Sequence, residues 1–399
     1  MGVRAFTLQQ NDEALRYAEF VVNGIRSEIL RDTPADNCTA IILTGSFGRG
    51  EGGVIYSGGR WGIVNDIEFT VVQETPQPEH MLELSKRLKK KYDIYNVEIG
   101  AVSPENITAG SLTISAYDLR YGSTVIYGDE NILKKIGEFR PEDIPLWEGA
   151  TLLLNRGGGL IMHFTLRRHL QREAITDTDR QIMKNQLVKA GVALGDALLV
   201  LCGDYHVLYA ERHKIFNKLA DEKKAAVPDG GYQLINTCYM EKLYPGTNDF
   251  GDPFRYYDRL ASVYKSIFLT VMSKCYNIAL PDVISYSMAM AGNEGTWPRF
   301  RRTVLTPAYR SLKAMMREGG GKDGGGIYGS MVGRKTAYAC MPLIILSAPF
   351  LNDPDREGLA FAESMIFGIW KGRMRGTPYN ERWELVRDLC FRKWYRIAH

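Results

Sequence analysis

The sequence predicts an α+β protein: a small mixed β-sheet domain over residues 1–139, followed by a large, mainly helical region. Short apolar runs at 40–44, 66–72 and 95–102 have strand length, and a lysine-rich stretch of helical pattern, 79–92, separates the last two. From Trp147 onward apolar residues recur at helical spacing, most clearly over 182–201, where Met183, Leu187, Ala190, Leu194, Leu198 and Leu201 make one stripe. The stretch Arg140-Pro-Glu-Asp-Ile-Pro145 separates the two kinds of pattern. A chain of 399 residues is expected to hold two or three domains. The helical part is read as a domain over 146–290 and a basic, mainly helical region over 296–399 with a glycine-rich loop at 319–329.

Taken in order, the first helix is predicted from Asn11 to Leu30, with Ala14, Ala18, Val21, Val22 and Ile25 on one face and Asn11 or Asp12 as its cap. Pro34 ends that region. The first strand runs into Thr44-Gly-Ser-Phe-Gly-Arg-Gly-Glu51. Gly45 and Gly48 permit positive φ and close backbone approach to a ligand. Ser46 offers a hydroxyl to a phosphate oxygen, and a turn entering a helix favours anions. Arg49 is either a phosphate contact or a plain surface charge, and Glu51 is read as surface. The connection 52–62, with five glycines, is a flexible loop over a nucleotide or a long hairpin.

The next strand carries Asn65-Asp-Ile-Glu-Phe69, and side chains alternate along a strand, so Asp66 and Glu68 share a face. The helix 79–92, with Leu82, Leu84 and Leu88, returns the chain to a strand on which Val97 and Ile99 flank Glu98, bringing Glu98 beside Asp66. The segment 112–128 adds another strand, in which Ser123-Thr-Val-Ile-Tyr-Gly128 reads as strand into turn. Two carboxylates on one face beside a small-residue turn suit Mg²⁺ and a triphosphate together. A two-metal site usually needs a third carboxylate, and Glu98 is the candidate for that and for a general base.

Gly45-Ser-Phe-Gly-Arg49, Asn65-Asp-Ile-Glu68 and Val97-Glu-Ile99 together resemble the DNA polymerase β-like nucleotidyltransferase superfamily, and within it the kanamycin (aminoglycoside) nucleotidyltransferase type. The likeness covers residues 40–130, about a third of the chain, and departs from the family in the long connection before the Asp-Ile-Glu strand. The resemblance implies metal binding at Asp66 and Glu68, with Glu98 as base and further ligand, two Mg²⁺ ions, and triphosphate held by Gly45 and Ser46. It also implies a lysine reaching the triphosphate from the helical domain. Lys189 is assigned that place and Lys184 the next, a solvated helix face being the alternative. The implied partners are an NTP, ATP first, and an acceptor hydroxyl on a small molecule, a protein side chain or another nucleotide. A nucleotide sensor without turnover and an enzyme acting on RNA are the other readings.

The net charge of +4 is concentrated at the end: residues 301–399 hold 17 Lys and Arg against 9 Asp and Glu. Aromatics interleave there (Trp370, Tyr379, Trp383, Phe391, Trp394, Tyr395), as in single-strand binders. The spacing of Val386, Leu389, Cys390 and Lys393 favours an amphipathic helix instead, so nucleic acid is not the favoured partner. Six scattered cysteines form no metal or disulfide pattern, and Met1 to Asn11 lacks the apolar core of a signal peptide, so a cytoplasmic setting with no membrane partner is expected. Ala190 to Cys202 is interrupted by Gly195 and Asp196 and reads as a buried helix, with Asn185, Lys189 and Asp196 roughly opposite its apolar stripe. Gly157 to Gly159 is expected to precede a helix over 160–173 whose Arg167, Arg168, His169 and Arg172 are solvated or line an acidic-substrate pocket. His163 and His169 are six apart and are not expected to pair on a metal. Residues 329–336 fail the P-loop spacing.

Overall fold

The computed structural model describes residues 5–94, 96–108, 112–219, 226–292, 334–367 and 376–398. It is α+β, with a four-stranded mixed sheet followed by a large helical region. Helix α1 (Asp12–Asp32) starts where the Asn11 side chain accepts from the N–H groups of Glu13 and Ala14. Strand β1 (Cys38–Thr44) lies inside the sheet and leads into α2 (Gly45–Gly48), a single helical turn. Strands β2 (Val54–Ser57) and β3 (Arg60–Ile63) form a separate hairpin. Its tip is Gly58-Gly59, both at positive φ, so the 52–62 connection is the hairpin of the two readings.

Strand β4 (Ile67–Gln73), helix α3 (Pro78–Tyr92) and strand β5 (Val97–Val102) form the strand–helix–strand unit that the pattern predicted. β4 and β5 are parallel, while β1 pairs antiparallel with β4 on one side and with β6 (Thr124–Gly128) on the other. Ile41, Leu43, Ile67, Phe69, Val97 and Ile99 pack under α1 and α3. Ala40, Ile42 and Val72 pack on the other face with Ile107 and the segment 132–136. Glu68 alternates with Ile67 and Phe69, and so looks toward this second face.

Of the segment 112–128, the strand expected at Ser123 to Gly128 forms, and the part before it is helical. After α4 (Pro104–Thr108) the chain forms α5 (Ile114–Gly122), capped by the Thr113 hydroxyl accepting from Ala116 N–H, and only 124–128 is strand. The Thr113 cap starts α5 and Gly122 is its last residue.

A correction concerns Gly157 to Gly159, which lie inside α6 (Leu146–His163). A Cβ at Gly157 would meet Ile345 Cδ1 at 2.9 Å and Tyr264 Oη at 3.1 Å, so this glycine permits close helix packing. The helix expected at 160–173 is broken at Phe164-Thr165, where the Thr165 hydroxyl caps the short α7 (Leu166–Leu170).

Helix α8 (Asp177–Cys202) is the centre of the helical region. It packs against α6, α10 (Gly231–Leu243) and α11 (Pro253–Tyr276), and its C-terminal end is joined by a loop to α9 (Tyr209–Asn217). Among the described residues it is the one helix long and apolar enough to cross a bilayer, but 72% of its most apolar window is buried inside the protein. Helices α12 (Val283–Gly292), α13 (Arg334–Leu346), α14 (Arg356–Phe367) and α15 (Tyr379–Ala398) join the same core. In the basic C-terminal region Trp383 is buried and donates from Nε1 to the Ile344 carbonyl, and Tyr379 donates to the Ser347 carbonyl. These two rings, with Val386 and Cys390, form an apolar helix face rather than a stacking platform. Trp370, the side chains of Lys393, Trp394 and Tyr395, and the 319–329 loop lie outside the described residues.

Glu148, in the first turn of α6, is buried and accepts from Ile114 N–H at 2.8 Å, tying the helical region to the start of α5. Burial pushes its carboxyl up to about 7 against the opposing effect of that hydrogen bond. A carboxyl raised in the folded state is protonated at no cost below its unfolded value and destabilises the fold as pH rises toward the folded one. Glu148→Gln is therefore expected to be as stable as wild type at pH 4 and more stable at pH 8, by at most ~3 kcal/mol. Urea unfolding at the two pH values checks this, and equal midpoints at pH 8 would contradict it.

Candidate active site

The turn after β1 is built by close approach. Gly45 sits at φ +62°, and a Cβ there would meet Glu68 Oε1 at 2.7 Å, so the carboxylate lies against the turn backbone. A Cβ at Gly48 would meet the Leu43 carbonyl at 2.3 Å. The turn is closed by Glu51 N–H donating to the Ser46 carbonyl at 2.8 Å, and Ser46 lines the adjoining cleft.

Register then gathers the acids. Glu68 is the partner of Thr44 across the antiparallel pair and of Glu98 across the parallel pair. Register partners on adjacent strands present their side chains on one face, and Asp66 stands two residues before Glu68. Asp66, Glu68 and Glu98 all line a cleft of about 640 Å³ between the sheet domain and helices α6, α8 and α10. Lys189, on α8, reaches across it to Asp66 Oδ2 at 3.2 Å. Asn96 donates to Glu98 Oε1 at 2.7 Å. Lys184, the second choice, instead pairs with Glu241 at 2.7 Å and does not line the cleft.

The electrostatics follow from crowding three carboxylates away from water. Burial first, then the charges of Glu68 and Asp66, push Glu98 up to about 8. Burial and the Asp66 charge also raise Glu68. Burial works to raise Asp66 too, but the Lys189 ammonium outweighs it and the net shift is downward. On the opposite wall Lys242, on α10, is pushed down to about 7 by burial, then by Lys189 and Arg49.

All three acids are hard oxygen donors, which fits a divalent cation of the Mg²⁺ type. They are not closed into a finished cage: among the described residues no three Asp, Glu, His or Cys side chains stand together at ligand positions. Asp66 is turned to Lys189 and Glu98 to Asn96.

Two sequence expectations are corrected here. Arg49 is not a surface charge: it is 7% exposed, its Nη1 lies 3.3 Å from Asp118 Oδ2, and its guanidinium stands over the Tyr209 ring. It nonetheless lines the cleft. Glu51, read as surface, is 3% exposed and accepts from the N–H groups of Tyr209 and Ala210, each at 2.9 Å. Helix α9 has no side-chain cap of its own, so a carboxylate from the sheet domain satisfies its first free donors.

Asp196 is a third correction. Rather than facing solvent opposite the apolar stripe of α8, it is 4% exposed and bound by Arg212 Nη1 at 2.8 Å and Tyr239 Oη at 2.7 Å. Arg212 also donates to Asp118 and to the Val207 carbonyl, between the rings of Tyr205 and Tyr209. The cluster at 167–172 does not reach the cleft, since Arg168 pairs with Asp179 and Arg172 with Asp252.

Lys242, Arg156, Asp118 and Arg212 line the cleft without having been singled out from sequence. Each lies in a helix with no motif around it to mark it. No protein-family model matches the chain, and no curated protein matches it in sequence.

Proposed function

We propose that the protein is a Mg²⁺-dependent nucleotidyltransferase that moves an NMP group from an NTP, ATP in the first instance, to an acceptor hydroxyl and releases pyrophosphate. The observation that carries this is the register pairing of Glu68 with Glu98, with Asp66 beside them and the Gly45-Ser46 turn packed on Glu68. Asp66 and Glu68, with Glu98, would hold the metal, which when bound supplies charge neutralisation at the attacking and leaving oxygens.

The chain's own groups supply the rest. Ser46 and the turn backbone meet phosphate oxygens, and Lys189 and Lys242 offset the triphosphate charge from the helical side. Glu98 in its ionised form accepts the acceptor hydroxyl proton as the oxygen forms its bond to the α-phosphorus; a cation held beside it would bring its carboxyl below the value of about 8 that burial and the neighbouring carboxylates set. The bond from that phosphorus to the bridging oxygen breaks, and pyrophosphate leaves with the electron pair. Catalysis in such a transfer is mostly positioning and electrostatics.

The test is pyrophosphate release with Mg²⁺ and each of the four NTPs, with and without a panel of hydroxyl acceptors, beside an Asp66→Asn, Glu68→Gln double variant. Release by wild type that disappears in the variant is expected. Tight NTP binding with no release under any acceptor would make the protein a nucleotide sensor instead.

A further inference from the structure

We infer, building on the nucleotidyltransferase reading above, that the acceptor is an anionic, phosphate-bearing hydroxyl compound and not a polyamine. The charges of the cleft walls carry this when they are taken one by one. Besides Asp66, Glu68 and Glu98, the acids that line the cleft are Asp118, Asp196 and Glu241. Each is already bound. Asp118 takes Arg49 at 3.3 Å, Arg212 at 3.3 Å and the Tyr205 hydroxyl at 3.2 Å. Asp196 takes Arg212 and the Tyr239 hydroxyl. Glu241 takes Lys184 at 2.7 Å and the N–H groups of Gly246 at 2.8 Å and Asn248 at 3.1 Å. Asp66 takes Lys189, and Glu68 and Glu98 are the carboxylates that the proposed function gives to the metal, so an ammonium group would have to compete with that metal for them.

On the basic side two groups stand outside these pairs. Arg156 on α6 and Lys242 on α10 both line the cleft, and neither forms an ion pair or hydrogen bond with a described residue. Lys242 rests over the Tyr209 ring at 5.2 Å and acts together with Lys189 around Asp66 and Glu68, where the triphosphate belongs. Arg156 acts on Asp66 from a different helix. A guanidinium presents a planar fork of donors that matches a phosphate in two-point contact. Asn155 beside it, and Gln181 and Asn185 on α8, add amide donors and acceptors to the same cleft. Placing an ammonium group near Arg156 and Lys242 would instead set like charges together.

The experiment loads the full-length protein with Mg²⁺ and a saturating non-hydrolysable ATP analogue, then titrates inorganic phosphate by calorimetry. Wild type is expected to bind phosphate, Arg156→Gln about tenfold more weakly, and Arg156→Lys in between. Thermal unfolding of each variant reports that the fold is kept. In parallel, pyrophosphate release is measured with matched acceptors, adenosine 5′-monophosphate against adenosine and glucose 6-phosphate against glucose, and with an aminocyclitol polyamine. Any stimulation is expected from the phosphorylated member. Absence of phosphate binding, equal binding in Arg156→Gln, or release driven best by the polyamine would overturn the inference while leaving the transferase reading in place. Failure of the ATP analogue itself to bind would remove both.

Discussion

Glu98→Gln is expected to lower the rate of pyrophosphate release by ~10²–10⁴-fold at saturating Mg²⁺ and NTP. The amide keeps the size of the side chain and can still accept the hydrogen bond that Asn96 now gives to Oε1. It also keeps the β4–β5 register, since Glu98 pairs with Glu68 through the backbone. What it removes is the basic oxygen. Single-turnover rates and NTP affinity, measured separately, distinguish this from a binding defect. A variant within about threefold of wild type would make Glu98 a structural carboxylate, because general-base groups contribute far more than that.

Arg212→Met is expected to cost ~3–5 kcal/mol of stability, read as a fall in the urea midpoint. Arg212 is 1% exposed and serves Asp196, Asp118 and the carbonyls of His206 and Val207 at once. Methionine fills much of the space between the Tyr205 and Tyr209 rings but leaves Asp196 buried beside Tyr239 without its counter-ion. Burial, and after it the Asp118 charge, push Asp196 up, and Arg212 is the chief force against them. Adding Asp196→Asn to Arg212→Met should therefore recover part of the loss, because removing both charges of a buried pair costs less than removing one. A double variant no more stable than Arg212→Met would show that packing, not the stranded charge, dominates. Asp118 belongs to the sheet domain and Arg212 to the helical region, so the single variant is also expected to loosen the cleft and raise the KM for NTP.

The elements that sequence determined by itself are those whose cause is local. Helix α1 follows from its apolar face and the Asn11 cap, and β1, β4 and β5 follow from short apolar runs with α3 between the last two. The placing of Asp66 and Glu68 on one face follows from strand alternation, which needs no partner to define it. Tertiary structure decided the rest, because the stabilising group lies far along the chain. Glu51 is buried against the start of α9, 158 residues later, which lacks a side-chain cap of its own. Lys189 was one of two lysines on α8, and the 3.2 Å approach to Asp66 comes from the packing of that helix against the sheet domain. Gly157 reads as a helix breaker in isolation, yet in α6 it makes room for Tyr264 and Ile345, and burial of apolar surface outweighs the ~1 kcal/mol propensity cost of a helical glycine. Lys242 and Arg156 gain meaning only when the other charges of the cleft have found their partners, since which charges are left over is a property of the whole fold and not of any segment.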